Sequence, residues 1–543
     1  MGVTKNQKLT LTIESFGAQG EGVAKYEGMP VFVPYALPGE IADVLIVKTE
    51  KKYAFGKLLS INSHAPFRTE PSCPLFYKCG GCVCQHMSYA AQLKFKRAQV
   101  ENCMQHIAGL NVSVLPVLGM KEPWQYRNKI SMPVAGVTGN PQIGYYAQRS
   151  HRVIPVDRCL LAKDAADRAC AVVKAWMVQE RISPYQEETH TGLIRHVMTR
   201  MNRVGQLMLV LVINGRTLKK ADILLKMLRE QVPELVSFCI SPNTKRGNVI
   251  LGERCQTLWG QDRLDDTLCG NHFLVSPLSF FQVNPIQTEK LYQTALDFAS
   301  LGGDETVADL YCGAGTISLM LAKHAAHVTG VEIVPAAILD AKENATRNGV
   351  DNVDFICGPA EQVLPDLVTQ GMKPDVVVLD PPRKGAEKNV LDAIIASAPT
   401  RVVYVSCNPA TQARDARILA DGGYRAVKCQ PVDMFCQTAG VETVCLLSKI
   451  RSAPHIDIDL DMTELDVTAA ETKATYEEIK AYVLEHTGLK VSCLYIAQVK
   501  AKHGIIEREC YNKAKAEGNP VPKCPPEKEK AIEEALRHFQ MIS

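Results

Sequence analysis

From Asn271 onward the chain alternates short β-branched runs with helical stretches, and nearly every run closes on a polar or reactive side chain. Val307 to Tyr311 leads into Cys312-Gly313-Ala314-Gly315-Thr316, Val328 to Val331 ends on Glu332, Asp375 to Leu379 ends on Asp380-Pro381-Pro382-Arg383, and Arg401 to Ser406 ends on Cys407-Asn408-Pro409. Alternation of this kind predicts a parallel sheet flanked by helices, with chemistry gathered at the carboxyl ends of the strands. A glycine turn between strand and helix, with an acid closing the next strand, suits a nucleoside whose ribose hydroxyls the acid accepts. Gly313-x-Gly315 lacks the third glycine of a dinucleotide fingerprint, which argues against NAD and leaves S-adenosylmethionine as the natural adenosine ligand. Cys407, delivered at a strand end, is the candidate nucleophile, and Glu442, at the start of a last strand through Leu447, is a carboxylate within reach of the same rim.

The 543 residues exceed what one core organises, so about three or four domains are expected. A formal charge of +3 does not mark a general nucleic-acid binder, so any such surface must be local. No apolar run approaches the roughly 18 residues of a membrane span, and Met1 to Thr10 lacks the apolar core of a signal peptide. A cytoplasmic protein without a membrane partner is expected. In a reducing compartment, 19 cysteines are read first for metal ligation and catalysis.

Lys8 to Ile61 has short alternating segments broken by glycines and by Leu37-Pro38-Gly39, the pattern of a small β-barrel, with or without an RNA ligand. Cys73, Cys79 and Cys82 follow as Cys-x5-Cys-Gly-Gly-Cys, with Cys159 in a later turn. Three thiols around a Gly-Gly turn suit a 4Fe-4S cluster better than zinc, which usually takes two Cys-x2-Cys knuckles. Cys84 is an alternative to Cys159 as fourth ligand. Ala90 to Ile107 reads as a helix with Lys94, Lys96 and Arg97 on a solvated face. Arg127, Lys129 and Arg195 stand at the edges of strand-like runs, facing phosphates or water. Leu207 to Ile213 and Val249 to Gly252 read as strands of an irregular α+β region.

Taken together, Cys73, Cys79, Cys82 and Cys159, Ser279 to Asn284, Asp309 to Thr316, Asp380 to Arg383 and Ser406 to Pro409 resemble the RNA uracil-5-methyltransferase family, in particular its 23S ribosomal branch with a TRAM barrel and an iron-sulfur cluster. The resemblance covers about residues 1–450. It implies a multidomain α/β protein: an OB-like TRAM barrel at 1–63, an α+β iron-sulfur and RNA-binding domain at 64–270, and a class I Rossmann-like methyltransferase domain at 271–450. It further implies Gln282, Tyr311, Glu332 and Asp380 around S-adenosylmethionine, Cys407 as nucleophile, Glu442 as base, and a 4Fe-4S cluster on the four cysteines. Structured RNA, ribosomal first and transfer RNA as the alternative, is the expected partner of a monomeric enzyme. A non-enzymatic iron-sulfur RNA binder would have no use for Cys407, Glu442 and the cofactor loop together. The chain departs from the family at Cys436, where proline is usual, and at Ala439-Gly440, where a histidine is usual.

Beyond the resemblance, 451–470 reads as a linker or one amphipathic strand. Residues 471–543 read as a small helical appendage, opened by a Thr475/Glu478 capping box. Its helices form either a plain packing module or a helix-turn-helix that presents Gln498, Lys500 and Lys502 to nucleic acid.

Overall fold

A computed structural model describes residues 3–450, 476–503, 524–539 and 541–542. The chain divides into two compact units, Met1–Arg451 and Ser452–Ser543. The proposed linker and Thr475 of the capping box lie outside the described residues.

The first unit opens with six strands, Lys8–Thr12, Ser15–Phe16, Gly22–Tyr26, Met29–Val33, Ile41–Thr49 and Ala54–Ser63, joined in one sheet. Alternation places Leu11, Ile13, Val31, Val33, Val44 and Ile46 on one side, where they form its own small core. Seven further strands between Lys129 and Gly260 make a second sheet, covered by helices Asp164–Gln179 and Ala221–Gln231. Its central strand Leu207–Ile213 is buried at every position, as its unbroken apolar run predicts.

Val249 to Gly252 is not a strand. Asn243 Nδ2 donates to the carbonyls of Val249 and Ile250 at 2.7 and 2.9 Å, so these carbonyls are satisfied by a side chain and the segment runs as a loop with Val249 facing solvent. The strand that closes this side of the sheet is Gln256–Gly260, paired antiparallel with Leu235–Pro242.

The third sheet holds the strand ends singled out above. Its members are β1 (Ser113–Val114), β2 (Thr306–Leu310), β3 (His327–Glu332), β4 (Val353–Cys357), β5 (Val376–Leu379), β6 (Arg401–Ser406), β7 (Tyr424–Val432) and β8 (Glu442–Lys449). The spatial order is β4-β3-β2-β5-β6-β8-β7-β1. Pairs among β2 to β6 are parallel, whereas β8 runs antiparallel to both β6 and β7. β1 comes from the range expected to form the central domain, as does helix α1 (Tyr89–His106), whose Val100 and Met104 pack with Tyr404, Ala413 and Cys429 of the region after Asn271. The expected segment 64–270 is thus interrupted: residues 89–114 belong with the third sheet.

α1 also corrects the expectation for its charges. Lys94 and Arg97 are exposed, but Lys96 is fully buried. Its Nζ bonds Asp433 Oδ1 and donates to the Phe435 carbonyl at 3.0 Å. A buried ion pair leaves an uncompensated charge when one partner is removed. Lys96→Met is therefore expected to cost ~3–5 kcal/mol in urea unfolding. Adding Asp433→Asn should return part of that loss.

The second unit contains three described helices, Tyr476–Thr487, Cys493–Lys502 and Pro526–His538, around Ile479, Val483, Ile496, Val499, Ile532 and Leu536. Of the three residues expected to face nucleic acid, one is buried, one half-buried and one exposed. Lys500 is buried with its ammonium 4.5 Å from the Tyr476 ring centroid, Lys502 pairs with Glu529 and Glu533, and Gln498 accepts from the Cys524 amide at 2.9 Å. The described helices share one small core, which both the packing module and the helix-turn-helix reading require.

Candidate active site

Strand register decides which side chains meet. Leu310 pairs with Val331 and with Leu379, so Tyr311, Glu332 and Asp380 all lie at the carboxyl edge of β2, β3 and β5. Leu379 pairs with Tyr404, which brings the end of β6 and Cys407 to the same edge. Because β8 is antiparallel to β6, with Ser406 opposite Thr443, the residue that opens β8 is brought level with the residue that follows β6. Cys407 and Glu442 are those two residues.

The turn after β2 has the conformation its glycines predict. Tyr311, Gly313 and Gly315 all have positive φ, and a Cβ on Gly315 would stand 2.9 Å from the Phe355 ring. Glu332 holds this turn, accepting from the Gly313 amide at 3.2 Å and the Val334 amide at 2.9 Å. Asp309, for which the sequence suggested no separate role, is buried beneath it. Ser318 donates to its Oδ2, while Oδ1 is buried without a protein partner. Burial, with the charges of Asp380 and Glu332 adding to it, pushes the Asp309 carboxyl up to about 7. Three acids with one orphaned oxygen fit a ligand that carries positive charge beside its adenosine. Gln282 stands on the turn before helix Pro285–Ala299, where its carbonyl accepts from Asn128 at 3.0 Å. Among the described residues its side chain makes no hydrogen bond to Tyr311, Glu332 or Asp380.

Burial raises the Cys407 thiol above its ordinary value, and the charges of Glu442 and Asp380 add to the rise. The positive charge of Arg383 opposes it. Burial likewise holds the Glu442 carboxyl well above the carboxylate range, with Asp380 adding and Arg383 opposing. Arg383 is kept in place because Asn408 Nδ2 donates to its carbonyl at 3.0 Å, and Gly385 passes so close to Arg414 and Asp415 that a Cβ there would lie 2.5 Å from both. Sequence reading placed Arg383 in a motif but did not see that it serves both reactive groups.

The loop Asp433–Val441, which carries the chain into Glu442, is tied down from several directions. Tyr89 Oη donates to Asp433 Oδ2 at 2.7 Å and stands 3.7 Å from the buried Cys436 sulfur. Gln92 and Gln437 exchange hydrogen bonds at 2.9 and 3.2 Å, and Tyr126 Oη donates to the Cys436 carbonyl. Cys436 thus falls inside a packed contact with α1. Above the loop, a cavity of about 1030 Å³ opens at Cys407, lined by Phe16 and Gln19 of the first sheet, Lys94 and Gln99 of α1, and Arg383.

Among the described residues no three His, Cys, Asp or Glu side chains are placed to ligate one metal ion. Cys73, Cys79, Cys82 and Cys159 nevertheless share one neighbourhood. Burial raises Cys79, which also feels Cys159 and Cys73, and burial pushes Cys82 up to about 12, with Cys159 and Cys79 contributing. The Gly81 amide donates to Cys79 Sγ at 3.4 Å, and a Cβ on Gly80 would meet the Tyr146 carbonyl at 2.8 Å. Cys84 points elsewhere, into a fully buried cluster with Leu37, Met87 and Phe95, so it is a core residue.

Residues 270–450 match the family model described as tRNA (Uracil-5-)-methyltransferase, and residues 2–59 match the TRAM domain. An RNA methyltransferase of unassigned role from Clostridium tetani is 47% identical over 447 residues, covering 82% of this chain and 97% of the relative. The chain belongs to the RNA uracil-5-methyltransferase family. Another member, from Listeria monocytogenes serotype 4b, is 48% identical over 444 residues, 82% of this chain and 98% of its own length. Among solved structures, the family's fold is shared with a Pyrococcus abyssi tRNA (uracil-54, C5)-methyltransferase bound to S-adenosyl-L-homocysteine. The TM-score is 0.66 at 26% identity, covering 81% of this chain and 99% of that one. No described helix is long and apolar enough to cross a membrane.

Proposed function

We propose that this enzyme transfers the methyl group of S-adenosylmethionine to C5 of a uridine in structured RNA, through a covalent bond between Cys407 Sγ and C6. The observation that carries the reading is the convergence of Cys407 and Glu442, from antiparallel β6 and β8, on the rim where Glu332 and Asp380 stand beside the glycine turn. S-adenosylmethionine supplies an electrophilic methyl group, and Tyr311, Glu332, Asp380 and Gln282 are the residues proposed to hold it.

Uracil C5 is a weak nucleophile. Addition of the Cys407 thiolate to C6 turns the ring into an enolate, whose C5 then takes the methyl group. Arg383 favours the thiolate. Glu442 removes the C5 proton, the electron pair reforms the C5–C6 double bond, and the Cys407–C6 bond breaks to release methylated RNA. A stacked uridine cannot be reached, so the target is flipped into the cavity at a cost of a few kcal/mol, least in single-stranded loops.

A base must be ionised to act, and both reactive groups are raised. kcat/KM is therefore expected to climb with pH through and above neutrality. Stability should move the opposite way. Glu442 and Asp380 bind protons more tightly folded than unfolded, so stability falls as pH rises from the ordinary carboxylate range through their folded values. Glu442→Gln should flatten that fall, read from urea midpoints at pH ~6 and ~9.

Ribosomal RNA, of the 23S type, is the proposed substrate, on the resemblance of the cysteine-bearing chain to the ribosomal branch. Transfer RNA is the second reading, favoured by the substrate of the Pyrococcus abyssi neighbour. Incubating the protein with methyl-labelled S-adenosylmethionine and each RNA separately tests both. Label in ribosomal RNA alone supports the first reading, and label in transfer RNA alone the second. No label in either rejects the function.

Cys73, Cys79, Cys82 and Cys159 are proposed to hold a 4Fe-4S cluster. Their thiolates would be the iron ligands of such a cluster. Its contribution would be structural, fixing the cysteine loop whose Val83 and Cys84 amides donate to the Gln437 carbonyl at 3.0 and 3.1 Å, ahead of Glu442. Anaerobically purified protein is expected to be brown and to contain iron and sulfide, and Cys79→Ser to bleach it. Stoichiometric zinc without sulfide would reject the assignment.

A further inference from the structure

The loop that follows β5 carries Arg383 to the cavity that Cys407 also lines. Its path is set by the helix that begins just after the nucleophile, α2 (Pro409–Asp421). Asn408 caps that helix, its Oδ1 accepting from the Ala410 amide at 3.1 Å while its Nδ2 donates to the Arg383 carbonyl at 3.0 Å. Thr411 Oγ1, on the first turn, is 3.3 Å from the same carbonyl. One turn further along, the fully buried Asp415 accepts from the Ala386 amide at 2.9 Å and from Tyr404 Oη at 2.6 Å. Arg414 donates to Asp415 Oδ1 at 2.7 Å and reaches across to the Lys384 carbonyl at 3.0 Å. Gly385, with a φ of 83°, lets the loop turn tightly enough to lie against both side chains.

These bonds exceed what packing of the helix requires. Ala413, Ala416 and Leu419 already seat α2 in the core. A buried carboxylate is costly unless its oxygens are bonded, and two of the three partners of Asp415 are the loop amide and the arginine that bridges to the loop. What the loop delivers is one cation. Around Cys407, Glu442 and Asp380 disfavour the thiolate, Arg383 favours it, and Lys94 of α1 lines the same cavity. The attraction between a guanidinium and a thiolate falls with their separation, so Arg383 on a free loop would spend its charge on water.

We propose that Arg414 and Asp415 are positioning residues, which clamp the Arg383 loop to α2 so that the guanidinium stays beside Cys407 and favours the thiolate. The assignment rests on the Cys407 mechanism proposed above. Because α2 starts at the nucleophile and grips the loop of the cation, one rigid element sets the distance between the two.

The test is the rate of alkylation of Cys407 by iodoacetamide as a function of pH, followed by mass spectrometry of the peptide that carries it. The midpoint of that profile reports the acidity of the thiol, whereas altered access changes the plateau rate at high pH and leaves the midpoint in place. Arg383→Ala should raise the midpoint by about one pH unit. Arg414→Ala, at a half-exposed position where folding is expected to survive, and Asp415→Asn should each raise it by about half a unit, or roughly threefold less thiolate near neutrality. Arg417→Ala removes the same charge one turn on, from a side chain paired with Asp421, and should leave the midpoint at the wild-type value. On the Arg383→Ala background, Arg414→Ala should add nothing, since the clamp acts through Arg383.

A wild-type midpoint in Arg414→Ala overturns the proposal, whether or not Asp415→Asn folds. So does an equal shift in Arg417→Ala, a shift by Arg414→Ala that persists without Arg383, or no shift in Arg383→Ala. The profile needs no RNA, so failure of the wild type to methylate any RNA rejects the function separately, while the clamp is judged on the thiol alone.

Discussion

Cys407→Ala should abolish methylation, with a loss on the order of 10⁴-fold or more in kcat. The expected effect is this large because the thiolate creates the nucleophile on the substrate, and without it C5 is not reactive enough to attack a sulfonium methyl group. The variant should still bind cofactor, since Asp309, Glu332 and the glycine turn do not depend on the thiol. It should also fold, because Cys407 is half-buried and lines a cavity and fills no core position. Cys407→Ser should be nearly as inactive, as a hydroxyl there is far less acidic than a thiol, and Arg383 acts by stabilising a charge the alcohol does not develop. Incorporation of labelled methyl groups into RNA, compared at equal cofactor occupancy, measures the loss.

The reactive rim was legible in the sequence because each strand is a short apolar run and its closing residue breaks the pattern. Tyr311, Glu332, Asp380 and Cys407 could be placed at one edge from the alternation of strands and helices alone. Glu442 was harder, since its place depends on β8 turning back antiparallel to β6, and only register shows that Ser406 faces Thr443. What the sequence hid are partnerships across long stretches of chain. Lys96 sits between exposed Lys94 and Arg97, and its burial follows from Asp433, 337 residues away. β1 is two residues long, too short to show a period, yet it extends a sheet built mostly after Thr306. Val249 to Gly252 has the composition of a strand, but Asn243 holds its carbonyls from another segment. In the appendage, the order of three short helices suggested a helix-turn-helix face as one of two readings, and its Lys502 pairs with Glu529 and Glu533 on the last helix.

Glu442→Gln should fail at a different point from Cys407→Ala. The amide is close in size to the carboxyl, and Glu442 is already held largely neutral by burial and Asp380, so folding and cofactor binding should survive. Thiolate addition and methyl transfer need no base at C5. Proton removal does need one, and a glutamine amide does not accept that proton. The enzyme should therefore halt with the methylated ring still bonded to Cys407, giving about one labelled adduct per active site where wild type turns over many times. Multiple turnover should fall by a factor on the order of 10²–10⁴, the range usual for loss of a general base.

The most direct measurement is a denaturing gel of Glu442→Gln incubated with RNA and methyl-labelled S-adenosylmethionine, run beside the Cys407→Ala, Glu442→Gln double variant. A slow-migrating labelled protein–RNA band in the single variant, absent without cofactor and absent in the double variant, is the predicted result. Normal turnover by Glu442→Gln, or a band that persists when Cys407 is gone, would contradict the assignment of Cys407 and Glu442 to opposite ends of one covalent intermediate.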